Sequence, residues 1–315
     1  MARRSPLGPA GALLLEGIES DSNELDLGQH LRLIRIDGRN WEQMRGRFPQ
    51  CWVSNRGLEW CLEYPADWSE RVEDLLLLLR LFQSGSISAL ANSRFNTHGG
   101  PWAMVPYPIF ASVNKGSPYT IGEAHLPQLR ESLLELPNLP AWGSPWLRVA
   151  RSSFLLGSST EFNPQHAATN RWIIRRVLDF VVALEAVLVP EGDFVGQRLR
   201  GRAARLLDIP DRERGAFDKR LKCLYAIRSN LAHGALPKRG ETKRLLAEMP
   251  VFEDEVRLLL CAALRTVPCG DNDRETFLRG LYDVDDKDIA DDIRRRFARI
   301  KSADVRRQLI REIDP

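Results

Sequence analysis

Over the first sixty residues apolar and polar positions alternate in short bursts. Leu25 and Leu27, then Leu31, Leu33, Ile34 and Ile36, follow a partial period of two, broken at Gly28-Gln29 and Asp37-Gly38. That pattern predicts short strands across residues 13–64. Cys51–Val53 and Leu58–Tyr64 are expected to pair as a hairpin across Asn55-Arg56-Gly57. The period then changes. Ser69 is the expected N-cap, with Glu70 and Glu73 in the first turn, of a helix through Phe82 whose apolar face is Val72, Leu75, Leu76 and Leu79. Residues 84–122 are rich in Gly, Ser and Pro, interrupted by Trp102, Tyr107, Phe110 and Tyr119, and read as short strands and loops. His98 and His125 read as surface histidines there. Pro137–Pro145, with its prolines and glycine, reads as a linker.

A helical half follows. Asn163-Pro164 opens it, and a long helix is expected from about Ala167 to Val189, apolar on every side over Phe180–Val189 except at Glu185. A helix apolar all round is buried. Glu185 is therefore a carboxylate in or beside a core, an unfavourable place unless it is paired or protonated. The next helix, Val195–Leu207, carries Arg198, Arg202 and Arg205 at i, i+4 and i+7, read as one basic ridge opposite an apolar side that includes Leu199 and Leu206. An ordinary amphipathic surface helix has the same pattern. In the third, Phe217–His233, the residues Phe217, Leu221, Leu224 and Leu231 lie within about 40° of one stripe, and Arg228 falls inside it. An arginine there keeps its charge and needs an acceptor. Glu185 and Arg228 are expected to meet. His233 lies about 160° from Phe217 on a regular helix and Arg228 about 20°, so the two do not share a face. Glu241–Val267 reads as a further helix, with Pro250 as a point where it can break. Residues 271–315 read as a charged helical tail, its acidic run Asp283, Asp285, Asp286, Asp288, Asp291 and Asp292 preceding Arg294-Arg295-Arg296. That run lacks the glycine and terminal glutamate of a calcium loop.

Composition adds little until it is resolved along the chain. With 43% hydrophobic and 28% charged residues the 315-residue sequence is that of a globular protein of one large or two ordinary domains. Residues 1–150 carry 14 Lys/Arg against 16 Asp/Glu, and residues 151–315 carry 31 against 26. Val195–Leu245 holds 14 basic and five acidic residues, a local charge of +9. Such a block attracts polyanions without choosing between them. The five scattered cysteines form no C-x2-C pair and suggest neither zinc nor a disulfide framework, which fits a reducing cytosol and a cytoplasmic location. No signal peptide is expected near the N-terminus, and the apolar run Leu75–Leu79 is too short to span a bilayer, so no membrane partner is expected.

One stretch carries candidate chemistry. Arg228-Ser229-Asn230-Leu231-Ala232-His233-Gly234 sets an arginine four residues before a histidine at a helix end. It resembles the R-x4-H signature of the HEPN superfamily of all-helical domains, many of them metal-independent endoribonucleases. Ala183-Leu184-Glu185-Ala186-Val187-Leu188 and Arg202-Ala203-Ala204-Arg205-Leu206-Leu207 are similar to the Apea-like branch, and the resemblance spans about residues 165–268. It implies a two-fold homodimer with a composite cleft. RNA cleavage without a metal needs a base for the 2′-hydroxyl proton, an acid for the leaving 5′-oxygen and a cation on the phosphate. His233 suits either proton transfer. Arg228 offers a fork of donors for phosphate, Asn230 and Ser229 can bond the phosphate or orient the histidine, and Glu185 orients Arg228. Arg198, Arg202 and Arg205 would track the RNA backbone.

The expected class is therefore α+β. A mixed strand/helix recognition or regulatory module (1–145) precedes an all-α HEPN bundle (146–268) and a charged helical tail (269–315). The expected activity is a toxin-like endoribonuclease of prokaryotic antiviral or abortive-infection defence, leaving 2′,3′-cyclic phosphates, with no metal or cofactor. RNA, tRNA included, a second copy of the chain, and an activating ligand or phage component at residues 1–145 are the expected partners. The alternatives are a non-catalytic HEPN module that binds RNA, nucleotide or protein, and a scaffold whose R-x4-H only caps a helix.

Overall fold

The structure is a computed structural model that describes residues 9–49, 53, 59–85, 87–95, 101–106, 118–159, 171–190, 195–233 and 239–282. It is α+β. Strands β1 (Gly11–Glu16), β2 (Ile18–Glu19), β3 (Glu24–Gly28) and β4 (Leu31–Arg35) come first, then helix α1 (Trp41–Arg47) and strand β5 (Glu59–Tyr64). Helix α2 (Val72–Phe82), strands β6 (Ser88–Phe95), β7 (Pro101–Pro106) and β8 (Tyr119–Thr120) and helix α3 (Leu126–Glu135) complete the N-terminal part. Six strands form an antiparallel sheet in the order β3-β4-β5-β1-β6-β7, and β2 pairs with β8 alongside it.

The alternation that predicted strands also explains why the sheet is covered on both faces. Leu13 and Leu15 of β1, Leu31 and Leu33 of β4, and Trp60, Leu62 and Tyr64 of β5 enter the main core. Their neighbours Ala12, Leu14, Ile36 and Cys61 point the other way, into a small cluster with Met44 and Phe48 of the α1 region. The partial period at Leu33-Ile34 is thus two faces of one strand, both packed.

Several expectations change here. Both edges of β5 are occupied, by β4 and by β1, with Leu62 opposite Leu33 and Leu13. Leu58–Tyr64 is therefore a central strand. Its proposed hairpin mate at 51–52 and the turn at 55–57 lie outside the described residues, and Val53 is in no strand. Ser69 follows a 3-10 turn, and α2 starts later, at Val72, with Arg71 as N-cap. From Leu75 to Leu81 this helix is buried on every side, because it is wedged between the sheet and the helices that follow. The apolar face of four residues was too narrow an expectation.

The helical part comprises α4 (Pro145–Ser159), α5 (Arg171–Leu188), α6 (Val195–Leu206), α7 (Asp211–Ala232), α8 (Arg239–Thr266) and α9 (Asp271–Tyr282). Pro137–Pro145 is no free linker: short 3-10 turns fold it, and Ala141 and Trp142 are buried. One hydrophobic core runs from Leu13 to Leu281 across the expected boundary at 145. Arg257 of α8 donates to the carbonyls of Leu81 and Phe82, and Arg265 pairs with Glu135 at 3.0 Å. Pro250 lies inside α8 without ending it. The first residues of the expected tail also join the body, since Leu278 and Leu281 of α9 are buried there. Residues 283–315, with the acidic run, lie outside the described residues, as do His98 and Asn163-Pro164, but the helical half opens before Asn163, with α4 at Pro145.

Candidate functional site

Helix α7 presents the R-x4-H stretch, and its own sequence sets it on the body. Phe217, Leu221, Leu224 and Ile227 are each at most 4% exposed. Among the described residues three arginine–carboxylate pairs tie α7 to its neighbours. Arg228 meets Glu185 of α5 at 3.2 Å, Arg200 of α6 reaches Asp218 at 2.7 Å, and Arg220 donates to Glu255 of α8 at 2.9 Å. The Glu185–Arg228 contact is the one expected from the helix wheel. It arises because an arginine in an apolar stripe and a glutamate in an apolar helix satisfy each other when the helices pack.

The pair is lopsided. The Glu185 side chain is 17% exposed and that of Arg228 34%. Arg228 Nη2 donates to Glu185 Oε2, while Glu185 Oε1 is buried with no hydrogen-bond partner among the described residues. Burial pushes the Glu185 carboxyl up, and Arg228 opposes the shift. The guanidinium carbon of Arg228 also lies 5.9 Å from the centroid of the Tyr225 ring. Burial raises the Tyr225 hydroxyl, the Glu185 charge raises it further, and Arg228 acts against both. The phenol therefore stays neutral.

His233 caps α7. Its N–H donates to the carbonyls of Ser229 at 3.2 Å and Asn230 at 3.1 Å, and its side chain is exposed. The helix is thus still wound at His233, and the sequence-derived angle between Arg228 and His233 holds. Among the described residues no hydrogen bond joins the His233 side chain to Arg228, Glu185, Ser229 or Asn230. Ser229 is half-buried; Asn230 is exposed and points about 160° away from Arg228. Residues 234–238, Gly234 included, lie outside the described residues.

The basic ridge on α6 is not a ridge. Arg202 is only 5% exposed, and its Nη1 donates to the carbonyl of Leu188 at 2.6 Å. On the wheel it stands about 60° from Leu199 and 40° from Leu206, inside the apolar side rather than opposite it. Arg198 and Arg205 remain half-buried at the surface. Arg202 shares its task with Arg274 of α9, which donates to the carbonyls of Ala186 and Val187 and lies over Trp146, 4.9 Å from the ring centroid. Two buried arginines thus satisfy the last carbonyls of α5 at the negative end of its dipole. That clamp fixes the turn next to Glu185. Sequence reading missed Tyr225 and Arg274. Tyr225 could have been found as the aromatic three residues before Arg228, whereas nothing local marks Arg274.

Among the described residues no group of three or more His, Cys, Asp or Glu side chains is placed to hold a metal ion, and no helix is long and apolar enough to cross a membrane. His125 accepts a hydrogen bond from the Gly122 N–H at its Nδ1, closing a 3-10 turn away from α7. Compared with models of known families, with characterised proteins and with solved structures, the chain matches none of them.

Proposed function

We propose that this chain is a metal-independent endoribonuclease of the HEPN type, acting as a homodimer. One observation carries the proposal: Arg228 is braced by Glu185 at 3.2 Å yet a third exposed, with an exposed histidine five residues on at the end of the same helix. A guanidinium held through one nitrogen keeps its other N–H groups for phosphate oxygens. An exposed imidazole can exchange a proton with a substrate hydroxyl. In the proposed reaction the 2′-oxygen loses its proton to a base and attacks the adjacent phosphorus. The P–O5′ bond breaks, the leaving oxygen takes up a proton, and the products are a 2′,3′-cyclic phosphate and a 5′-hydroxyl. Arg228 binds the phosphoryl oxygens as charge builds on them, and His233 carries one of the proton transfers.

Arg228 and His233 stand about 140° apart around α7. One copy of the helix does not aim both at one phosphate. A two-fold dimer that faces Arg228 of each copy toward His233 of the other would complete two equivalent sites. Arg198 and Arg205, with the +9 block around them, supply the attraction for RNA; Ser229, beside Arg228 on the helix, is a further phosphate donor. The HEPN resemblance supplies the toxin-like role in antiviral defence, and residues 1–145 are then the part that meets an activating ligand or phage component.

The test is cleavage of total RNA and tRNA in EDTA by the purified chain and by its His233→Ala variant, with end-group analysis. Histidine-dependent cuts ending in cyclic phosphates are expected. Absence of cleavage by the wild type, or undiminished cleavage by the variant, overturns the enzyme reading.

A further inference from the structure

We infer that the RNA strand flanking the scissile phosphate lies along the exposed face of α7, where Lys222 and Lys219 hold its backbone. The inference deepens the ribonuclease reading and rests on it. Around α7, Lys222 stands about 20° from His233 and Lys219 about 40°, with Ala226 about 20° and Ser229 about 40° away on the same face. Lys219, Lys222, Ala226 and His233 are exposed, and Ser229 is half-buried. The buried Phe217, Leu221, Leu224 and Ile227 point at least about 120° away from His233. From Lys219 to His233 the face runs about 21 Å along the axis. The helix thus offers one continuous open surface with the histidine at its end.

That surface is positive because carboxylates are absent from it or already engaged. From Lys219 to Gly240 the chain contains no Asp or Glu. Asp218, one turn before Lys222, is taken by Arg200 of α6 at 2.7 Å. Among the described residues neither lysine has an ion-pair partner. Residues three apart on a helix are neighbours, so the two lysines repel each other, and a phosphate between them removes that cost. Arg198 and Arg205 do not reach this face. α6 meets α7 through Arg200 and through Gly196, where a Cβ would come within 2.6 Å of Tyr225 Cδ1. Arg198 and Arg205 stand about 140–180° around α6 from those two contacts, on the side turned away from α7. They add to the long-range attraction for RNA, whereas Lys222 and Lys219 supply the backbone contacts in line with His233.

The experiment measures binding of a labelled oligouridylate, long enough to span the face, across a salt series in a His233→Ala protein that leaves it uncut. Lys222→Gln and Lys219→Gln should each reduce the slope of log affinity against log salt by about 0.7, the share of one phosphate on a single strand, and weaken binding roughly 5-fold at about 0.1 M salt. Arg198→Gln and Arg205→Gln should each weaken it less. Both lysines are exposed, so their replacement leaves the core intact. Slopes unchanged by the lysine variants, or a larger loss from either arginine than from Lys222→Gln, overturn the track and leave the nuclease reading standing on its own test of histidine-dependent cleavage. Failure of the parent to bind the oligomer at low salt removes the ribonuclease reading, and the track with it.

Discussion

Removing either partner of the Glu185–Arg228 pair should destabilise the protein unequally. At 3.2 Å, two unit charges attract by about 1.3 kcal/mol at the dielectric of water and about 5 kcal/mol at an effective value of 20. The pair lies between these limits, because Glu185 is mostly buried while a third of Arg228 meets solvent, and exposure discounts the attraction. A coupling of about 1–2 kcal/mol is expected. Arg228→Met leaves a buried carboxylate with no partner for either oxygen and should lower stability by about 2–3 kcal/mol. Glu185→Leu leaves an arginine that can turn to water and removes an unpartnered buried oxygen, so its effect should be about 0–1 kcal/mol.

The pH dependence follows in sign. Burial already raises the Glu185 carboxyl, and loss of Arg228 removes the group that opposes the rise. A carboxyl raised by folding binds its proton more tightly in the folded chain, so stability falls as pH rises through the folded-state value. The Arg228→Met deficit should thus be largest at neutral pH and shrink on acidification. Urea unfolding of the wild type, both single variants and the double variant at neutral and acidic pH measures all of this. Equal losses from the two single changes, a pH-independent deficit, or a coupling near zero would refute the reasoning.

Two further outcomes separate structure from site. Arg202→Gln should lower stability by about 2–3 kcal/mol through loss of its charged bond to the buried Leu188 carbonyl, whereas Arg205→Gln should change it by less than about 0.5 kcal/mol and weaken polyanion binding instead; denaturation and salt-dependent binding measured together would expose the opposite assignment. Glu255 is 2% exposed and its carboxyl is raised chiefly by burial against the pull of Arg220, so its contribution to stability should grow as pH falls from the folded-state value toward the ordinary carboxylate range. Glu255→Gln should flatten that part of the stability–pH curve, and an unchanged slope would show that Glu255 does not titrate there.

The sequence by itself determined four helices of the second half and one contact between them, while α4 (Pro145–Ser159) went unread. Helical hydrogen bonds join residues four apart, so periodicity, caps and glycines in a short window suffice to place α5, α6, α7 and α8 to within a few residues, apart from the start of α7. The same local logic set Arg228 in an apolar stripe and Glu185 in an apolar helix, and two opposite charges that both need partners have few places to find them. Only the tertiary structure decided the rest. Strand pairing joins residues far apart, and nothing within Leu58–Tyr64 says that its neighbours are β4 and β1. Burial of an arginine is equally non-local. Arg202 reads as surface until the end of α5 supplies a carbonyl for it, and Arg274 reads as tail until α9 packs beside the same helix end. The sheet, the buried arginines and the place of Tyr225 against Gly196 all depend on which surfaces meet, and that is set by the packing of the whole chain.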